Sequence, residues 1–481
     1  VVKLPPLATA LVWFYLKVAM ALLAMAWAFR MVESPGAAFP AWAKALAVVL
    51  SLRPILSDLS HGNVNILILF LVVASLYAFH RGRDFLAGVV LALAIACKLT
   101  PALLAAYFLW KGAWRTLAGC AFGLVLFFLI IPGLVLGFGH NAQMLTSWVE
   151  VMVLPYVAGG EVTSEHHNQS LPGLVYRLFT ASPSFSDYVD GRYVPLAYHN
   201  VADIGRDAAK WLVKGCMLLF ALVVVWTCRA PIRPRREEEG YREGEAFREG
   251  EAFREGKAFR EGEAPAEPKA VPPEPPWLRG SVALPTPKAV PQGTAGRTRE
   301  GEAPAEPEAV PEEPPWLRGS LALPTPKAVP PEPPHGSAGV SPSRRPTLAT
   351  PRESVRAARA NWRLAAEFAL IALGMLLFSE RTWKHHAVTL LLPYAVLCYA
   401  AAALPLGLWL RRAVAAALAL SVLLVASTST GLMGDRGGEL AQVYGGFTLA
   451  FLVLAAALAA LLRLGPGGNS AIAIESAAPR H

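Results

Sequence analysis

Charge is the scarce ingredient of this chain. Asp, Glu, Lys and Arg make up only 16% of its 481 residues, where a soluble domain of this size carries nearer a quarter. Much of that charge is crowded into roughly 229–360, and the remainder is nearly free of it. Such a distribution excludes a water-soluble globular enzyme. Cysteine is sparse too: Cys97, Cys120, Cys216, Cys228 and Cys398 all fall inside apolar runs, and no CxxC pair occurs. That excludes a disulfide framework or a thiol metal site and leaves five small buried hydrophobes. There is no GxGxxG, P-loop or GxSxG, so nothing points to nucleotide, cofactor or serine-hydrolase chemistry. The formal charge of +9 sits in short loops between apolar runs, without a basic stripe and interleaved aromatics. Nucleic acid is therefore not an expected partner.

What is abundant is hydrocarbon. Hydrophobic residues account for 54% of the chain, in runs of about 20 residues that suffice to cross a bilayer core. Unpaired peptide groups are costly in lipid, so these runs must be helices. We read about eleven spans, at 7–29, 41–57, 62–80, 84–97, 99–110, 115–136, 207–228, 362–379, 385–405, 412–430 and 444–463. The fold class is all-α integral membrane, a multi-helix transmembrane bundle with an extracytoplasmic loop domain.

Basic loops at His80–Arg83, Lys111–Arg115, Arg229–Arg236 and Arg411–Arg412 orient the chain. If all are cytoplasmic, an even number of crossings separates each pair. Between Arg83 and Lys111 that requires two short helices meeting at a Lys98–Pro101 turn on the opposite side. The same scheme puts 137–206 and Ser379–His386 outside. The resulting segments are 1–136 (transmembrane), 137–206 (outer loop), 207–228 (transmembrane), 229–360 (insertion), 361–464 (transmembrane) and a flexible 465–481 tail.

The insertion belongs to another regime. Tyr241-Arg-Glu-Gly-Glu-Ala recurs from Phe247, Phe253 and Phe259, and a longer Pro/Glu-rich unit from Glu261 recurs from Glu300. Such sequence buries too little apolar surface to offset its ordering entropy, and reads as disordered. Its repeated Trp-Leu-Arg-Gly, at Trp277 and Trp316, is the one candidate docking motif. The outer loop is aromatic and mixed in charge, as capping or binding loops are. Its stretch Asn141–Leu154 would put Met144, Leu145, Trp148 and Val151 or Met152 on one face of an interfacial helix.

Four polar groupings interrupt this apolar sequence. Lys98, in Cys97-Lys-Leu-Thr-Pro101, is either a phosphate contact at a broken helix or a lysine snorkelling from a helix end. Trp383-Lys-His-His386, after Glu380-Arg381, offers donors near a phosphate or an interfacial anchor. Glu165-His-His-Asn-Gln-Ser170 lacks the spacing for metal, but its Asn168-Gln169 amides suit sugar hydroxyls; the alternative is a polar loop. Ser57-Asp58 to Asn63-Val-Asn65 forms an outer turn, with Asp58 a free carboxylate or a helix cap.

Together these segments resemble glycosyltransferase family 87, the polyprenol-phosphate-mannose-dependent mannosyltransferases of the membrane-embedded GT-C class. The matching pieces are Gly62-Asn63-Val64-Asn65 (Gly-Gln-Val-Asn is usual), Arg81-Gly82-Arg83 and Lys98-Leu99-Thr100-Pro101. Asn168-Gln169-Ser170-Leu171 with Arg177, and Ser379 with Trp383 and His385-His386, complete the set. The resemblance implies a GT-C-type bundle in the cell (inner) membrane with an outward cavity, a polyprenyl-phosphate hexose donor, and a lipid or glycan acceptor. It implies inverting transfer without metal or cofactor. Lys98, His385, His386 and Arg381 would surround the donor phosphate, and Asn63, Asn65, Asn168, Gln169 and Trp383 would contact sugar or acceptor. The catalytic carboxylate is expected on an outer loop ahead of the first span here, with the reading frame beginning about 60–100 residues upstream. Two features depart from the pattern: Arg381-Thr382 replaces Pro-x-Ser before Trp383, and the insertion has no counterpart. A lipid-glycan flippase would show paired half-chain repeats, which are not visible. A non-catalytic relative or a scaffold recruiting partners through the insertion are the other readings.

Overall fold

The computed structural model describes residues 5–34, 37–189, 192–230 and 362–466. The repeat insertion and the tail lie outside the described residues. Helices follow the apolar runs: α1 (Pro6–Val32), α2 (Ala41–His61), α3 (Asn65–His80), α4 (Asp84–Cys97) and α5 (Ala102–Trp110), then α6 (Trp114–Leu136). In the outer loop come α7 (Phe138–Trp148), α8 (Leu171–Phe179) and an antiparallel hairpin, β1 (Phe185–Val189) with β2 (Arg192–Ala197). The rest is α9 (Arg206–Thr227), α10 (Trp362–Leu377), a tight 3-10 segment (Lys384–Leu390) leading into α11 (Leu391–Ala403), α12 (Leu408–Ser427), α13 (Thr430–Val443) and α14 (Gly446–Leu464).

Among the described residues six helices are long and apolar enough to cross a membrane: α1, α6, α9, the 3-10 segment with α11, α12 and α14. The other runs read as spans hold helices where expected, but these are shorter or more polar. Helices α3, α4, α5 and α10 have 16, 14, 9 and 16 residues, about 14–24 Å at 1.5 Å per residue. Of these, α10 and most of α3 are packed inside the bundle, whereas α4 and α5 leave Phe85, Leu86, Leu109 and Trp110 exposed. Helix α2 is long enough, at 21 residues, but carries Lys44, Arg53, Pro54 and Asp58.

The core lies along α10 and α11. Every residue of α10 except Arg363 is buried, and α11 is buried from Leu391 to Ala400. By contrast α1, α6, α9 and α12 present Leu7, Leu134, Trp211 and Leu423 outward, an arrangement suited to hydrocarbon surroundings and costly in water.

Helices α4 and α6 approach closely because Gly88, Gly119 and Gly123 lack side chains. A Cβ at Gly119 would lie 2.1 Å from the Phe85 carbonyl oxygen, and one at Gly88 would lie 1.9 Å from that of Thr116. Gly119→Val is therefore expected to lower stability by at least about 2 kcal/mol, read as a drop in melting temperature by scanning fluorimetry. Gly139→Ala, where a Cβ meets nothing within 4 Å, should leave it unchanged.

Helix α6 widens to π-helical pitch over Val125–Ile130, just before Pro132. Proline has no N–H to give the Phe128 carbonyl. The Asn141 amide donates to that carbonyl instead, at 2.8 Å, which draws α7 back along the end of α6. Met144, Trp148, Val151 and Met152 are left exposed, and Leu145 is half-buried.

Contacts sort the helix ends into two groups. At one end, Lys111 pairs with Glu367 at 2.8 Å and Tyr107 donates to the same carboxylate at 2.6 Å. The Trp362 N–H donates to Ser34 there, and Arg363 to the Leu462 carbonyl. At the other end, Trp13 donates to the Gly62 carbonyl at 3.0 Å, Lys17 pairs with Asp58, and the outer loop meets α14. Lys111 thus lies in the first group, whereas Asp58, Gly62 and Gln169 lie in the second.

Candidate functional site

The site is built where three helices stop. Helix α2 ends on Gly62, whose φ of +67° is the left-handed conformation that glycine adopts without strain. That turn delivers Asn65 to the first position of α3. Helix α4 stops at Cys97, Lys98 takes extended backbone (φ −159°, ψ 129°), and Pro101 leads into α5. The broken hairpin read from charge placement is what forms. Lys98 does not snorkel: its Nζ turns into the bundle and donates to Asn65 Oδ1 at 3.1 Å. From the far side, α10 ends and Ser379–Trp383 lead into the 3-10 segment.

Together Asn65, Lys98, Thr100, Ser379, Thr382, His386 and Thr389 line a small cavity of about 20 Å³, room for about one water. His386 Nδ1 lies 3.2 Å from the Trp383 nitrogen and 3.1 Å from the Arg381 carbonyl. The backbone thus holds the ring by Nδ1 and leaves Nε2 for a ligand. Consecutive residues of a 3-10 turn point about 120° apart, so His385 faces elsewhere. It is buried between His61 and Trp383, with ring centroids 5.7 and 5.5 Å away.

Asp58 is not a free carboxylate. It is fully buried, accepts from Asn65 Nδ2 at 2.9 Å and from the Asn65 and Ile66 backbone N–H groups at 3.3 Å, and so caps α3. Its other partner is Lys17, Nζ to Oδ2 2.9 Å, which also donates to the Asp58 carbonyl at 2.6 Å. Lys17 was missed from the sequence, although a lysine amid the apolar residues of α1 was the signal available. The result is a continuous chain, Lys17–Asp58–Asn65–Lys98, in which one amide links an ion pair to a second lysine. Helix α1 starts 11 residues before Lys17, roughly 16 Å farther along the axis, so the chain is recessed.

The remaining candidates separate. Asn168 and Gln169 do not line the cavity. Asn168 Nδ2 donates to the Thr163 and Glu380 carbonyls at 2.8 and 2.9 Å, and its Oδ1 accepts from Thr382 N–H at 2.9 Å. Gln169 Nε2 donates to the His166 and Gln442 carbonyls, and Oε1 accepts from Phe447 N–H. Their polar atoms are taken by protein, so both fasten the outer loop rather than face a sugar here. Asn63 stays in the α2–α3 turn, half-buried. Trp383 is partly exposed beside Arg381, whose guanidinium carbon stands 5.9 Å from its ring centre.

Arg177 was read only as part of a motif, yet it is the hub of this seam. Fully buried, it donates from Nε to Val443 (2.7 Å), from Nη1 to Ser164, Glu165 and Asn168, and from Nη2 to Gln442, all backbone carbonyls. Burial pushes its pKa down to about 9, which leaves it charged at neutral pH. His166, packed on His167 and Phe185 with Nδ1 at the Ser184 carbonyl, is pushed down to about 4, chiefly by burial. It belongs to the same seam. The β-hairpin was also missed; Asp190-Gly191 between alternating strand residues was its signal.

Arg381 turns from the small cavity and donates to Thr163 Oγ1 at 2.9 Å. With Val151, Met152, Pro155, Tyr156, Glu161, Val162, Thr163 and Glu380 it lines a second cavity of about 660 Å³.

Lys98 and His386 are brought to one small cavity at a break between helices, where a cation and a ring nitrogen suit an anionic group. The family model described as glycosyltransferase family 87 matches residues 2–242. The chain belongs to that family. It is therefore an all-α, multi-pass membrane glycosyltransferase. The match spans α1 to α9, and so includes Asp58, Asn65, Lys98 and Arg177; α10 to α14, with His385 and His386, lie beyond it. No curated protein and no solved structure matches the chain.

Proposed function

We propose that this glycosyltransferase moves a hexose, mannose by the family resemblance, from a polyprenyl-phosphate donor to a lipid or glycan acceptor. The transfer takes place at the outer face of the cell (inner) membrane. The observation that carries the reading is Lys98 Nζ held across one cavity from His386 at the site end of the bundle. A cation and an N–H donor stabilise the negative charge of a departing phosphate. The phosphate replaces Asn65 as the partner of Lys98. Because the cavity now holds little more than a water, the Ser379–Trp383 strap moves outward as the donor enters. His385 supports His386 from behind, and Asn65 keeps Lys98 aimed. The acceptor hydroxyl attacks the anomeric carbon from the face opposite the phosphate, inverting it; a carboxylate takes the hydroxyl proton.

The test is donor choice in proteoliposomes. Labelled sugar is expected to leave polyprenyl-phosphate mannose at the same rate with and without EDTA. Transfer from a nucleotide sugar instead, or a rate abolished by EDTA, would sink the proposal. The repeat composition adds a second expectation: deleting about 231–357 should leave the transfer rate within about twofold, because Pro/Glu-rich repeats offer little apolar surface to a fold. A scaffold acting through its Trp-Leu-Arg-Gly repeats would lose its function on the same deletion.

A further inference from the structure

The second cavity has no place in the account so far. Part of its lining is apolar, Val151, Met152 and Pro155 from the helical stretch after α7, with Val162; part is acidic, Glu161 and Glu380. Arg381 is already engaged, 3.9 Å from Glu380 and bonded to Thr163. Tyr156 is anchored by donating to the Phe378 carbonyl at 2.6 Å. Glu161 is exposed and makes no ion pair among the described residues. Glu161 and Glu380 outnumber Arg381 among the charged lining residues, a balance that disfavours a phosphate, so this is not a second donor-phosphate site. The two carboxylates accept hydrogen bonds from neutral hydroxyls instead, while the apolar lining beds the C–H face of a sugar ring.

Position adds to chemistry. Ser379 and Thr382 line the small cavity, whereas Glu380 and Arg381, between them in sequence, line the large one. One strap thus divides the two, and consecutive Cα atoms are only about 3.8 Å apart. At about 660 Å³ the large cavity lies within the usual range for small-molecule sites, roughly 300–1,000 Å³. Its apolar lining runs into the exposed face of α7, with Met144 and Trp148, which offers a path for an alkyl chain.

We infer that this cavity seats the acceptor, the neutral hydroxyl-rich headgroup of a membrane-anchored glycolipid, with Glu161 and Glu380 accepting from its hydroxyls and the α7 face bedding its chain. The inference rests on the glycosyl-transfer reading.

The probe is octyl mannoside carrying a diazirine in its chain, applied to the full-length protein in phosphatidylcholine nanodiscs. Illumination followed by peptide mass spectrometry should locate label within residues 144–163. Excess octyl mannoside should compete it away; octanol and polyprenyl phosphate should not. The Glu161→Gln/Glu380→Gln pair is expected to cut labelling about tenfold, as lost charge-assisted bonds to hydroxyls would. Met152→Trp, which fills the apolar part, should abolish it. Lys98→Ala should label as wild type even though transfer is lost. Label elsewhere, equal competition by octanol, displacement by polyprenyl phosphate, or indifference to both Met152→Trp and the Gln pair would each overturn the assignment. Those results leave the donor reading standing, since it is tested by transfer from polyprenyl-phosphate mannose.

Discussion

Lys98→Ala is expected to lower the transfer rate about 10²–10³-fold, the usual loss when one donor to a developing negative charge is removed, while the protein inserts and melts as wild type. The structure separates these two outcomes. Among the described residues the Lys98 side chain has one hydrogen-bond partner, Asn65 Oδ1, and Asn65 keeps its bonds to Asp58 without it. Removing Lys98 therefore leaves no buried charge unpaired. Lys17 is the built-in contrast. It is buried and is the ion-pair partner of fully buried Asp58, so Lys17→Ala strands a carboxylate in the bundle, at a cost of about 3–5 kcal/mol. Two lysines joined through the same aspartate and asparagine should thus fail differently, one in chemistry and one in folding. His386→Ala is expected to follow Lys98→Ala, since His386 is half-buried and faces the same cavity. Rates measured with polyprenyl-phosphate mannose, beside melting curves of the same preparations, decide. A Lys98→Ala protein with near-normal turnover would remove the lysine from the phosphate site.

These two lysines also mark how far sequence reasoning reached. Helix positions were legible because lipid imposes them: a run of apolar residues has few ways to satisfy its peptide groups. The broken hairpin at Lys98–Pro101 followed from the interruption of the apolar run there together with charge placement, and the structure has that break. What the sequence did not disclose were partners distant along the chain. Lys17 and Asp58 are 41 residues apart, and no local pattern announces that one neutralises the other. Asp58 was therefore open between a free carboxylate and a helix cap, and the structure has the cap. Asn168 and Gln169 were read as sugar ligands for a related reason. A polar side chain in an outer loop has the same composition whether it faces a ligand or a buried carbonyl, and only the packing of α14 and the Glu380–Thr382 strap distinguishes the two. The ionisable residues inside apolar runs, Lys17 and Glu367, were the readable signals left unused.

The second large effect falls on Arg177, which lines neither cavity. Arg177→Ala removes five hydrogen bonds and leaves the carbonyls of Ser164, Glu165, Asn168, Gln442 and Val443 without that donor. Buried acceptors stripped of a charged donor cost about 1–3 kcal/mol each. Even partial relaxation leaves a loss of at least about 3 kcal/mol, concentrated where the outer loop meets α13 and α14. Arg177→Lys keeps the charge but not the planar fork that reaches three directions at once, so most of the loss should persist. The loss should also be confined to the fold. The same loop segment holds Asn168, which fastens Thr382 and Glu380, the strap between the two cavities. Loosening the seam at working temperature therefore disorders the site and stops transfer. Below the melting point of the variant the strap is held again, and turnover should recover to within about fivefold of wild type measured at the same temperature, with the residual deficit of about 1 kcal/mol assigned to a looser strap. Lys98→Ala should show no such recovery on cooling. An Arg177→Ala protein that melts as wild type yet transfers no sugar at any temperature would refute this structural role and make the guanidinium a participant in the reaction.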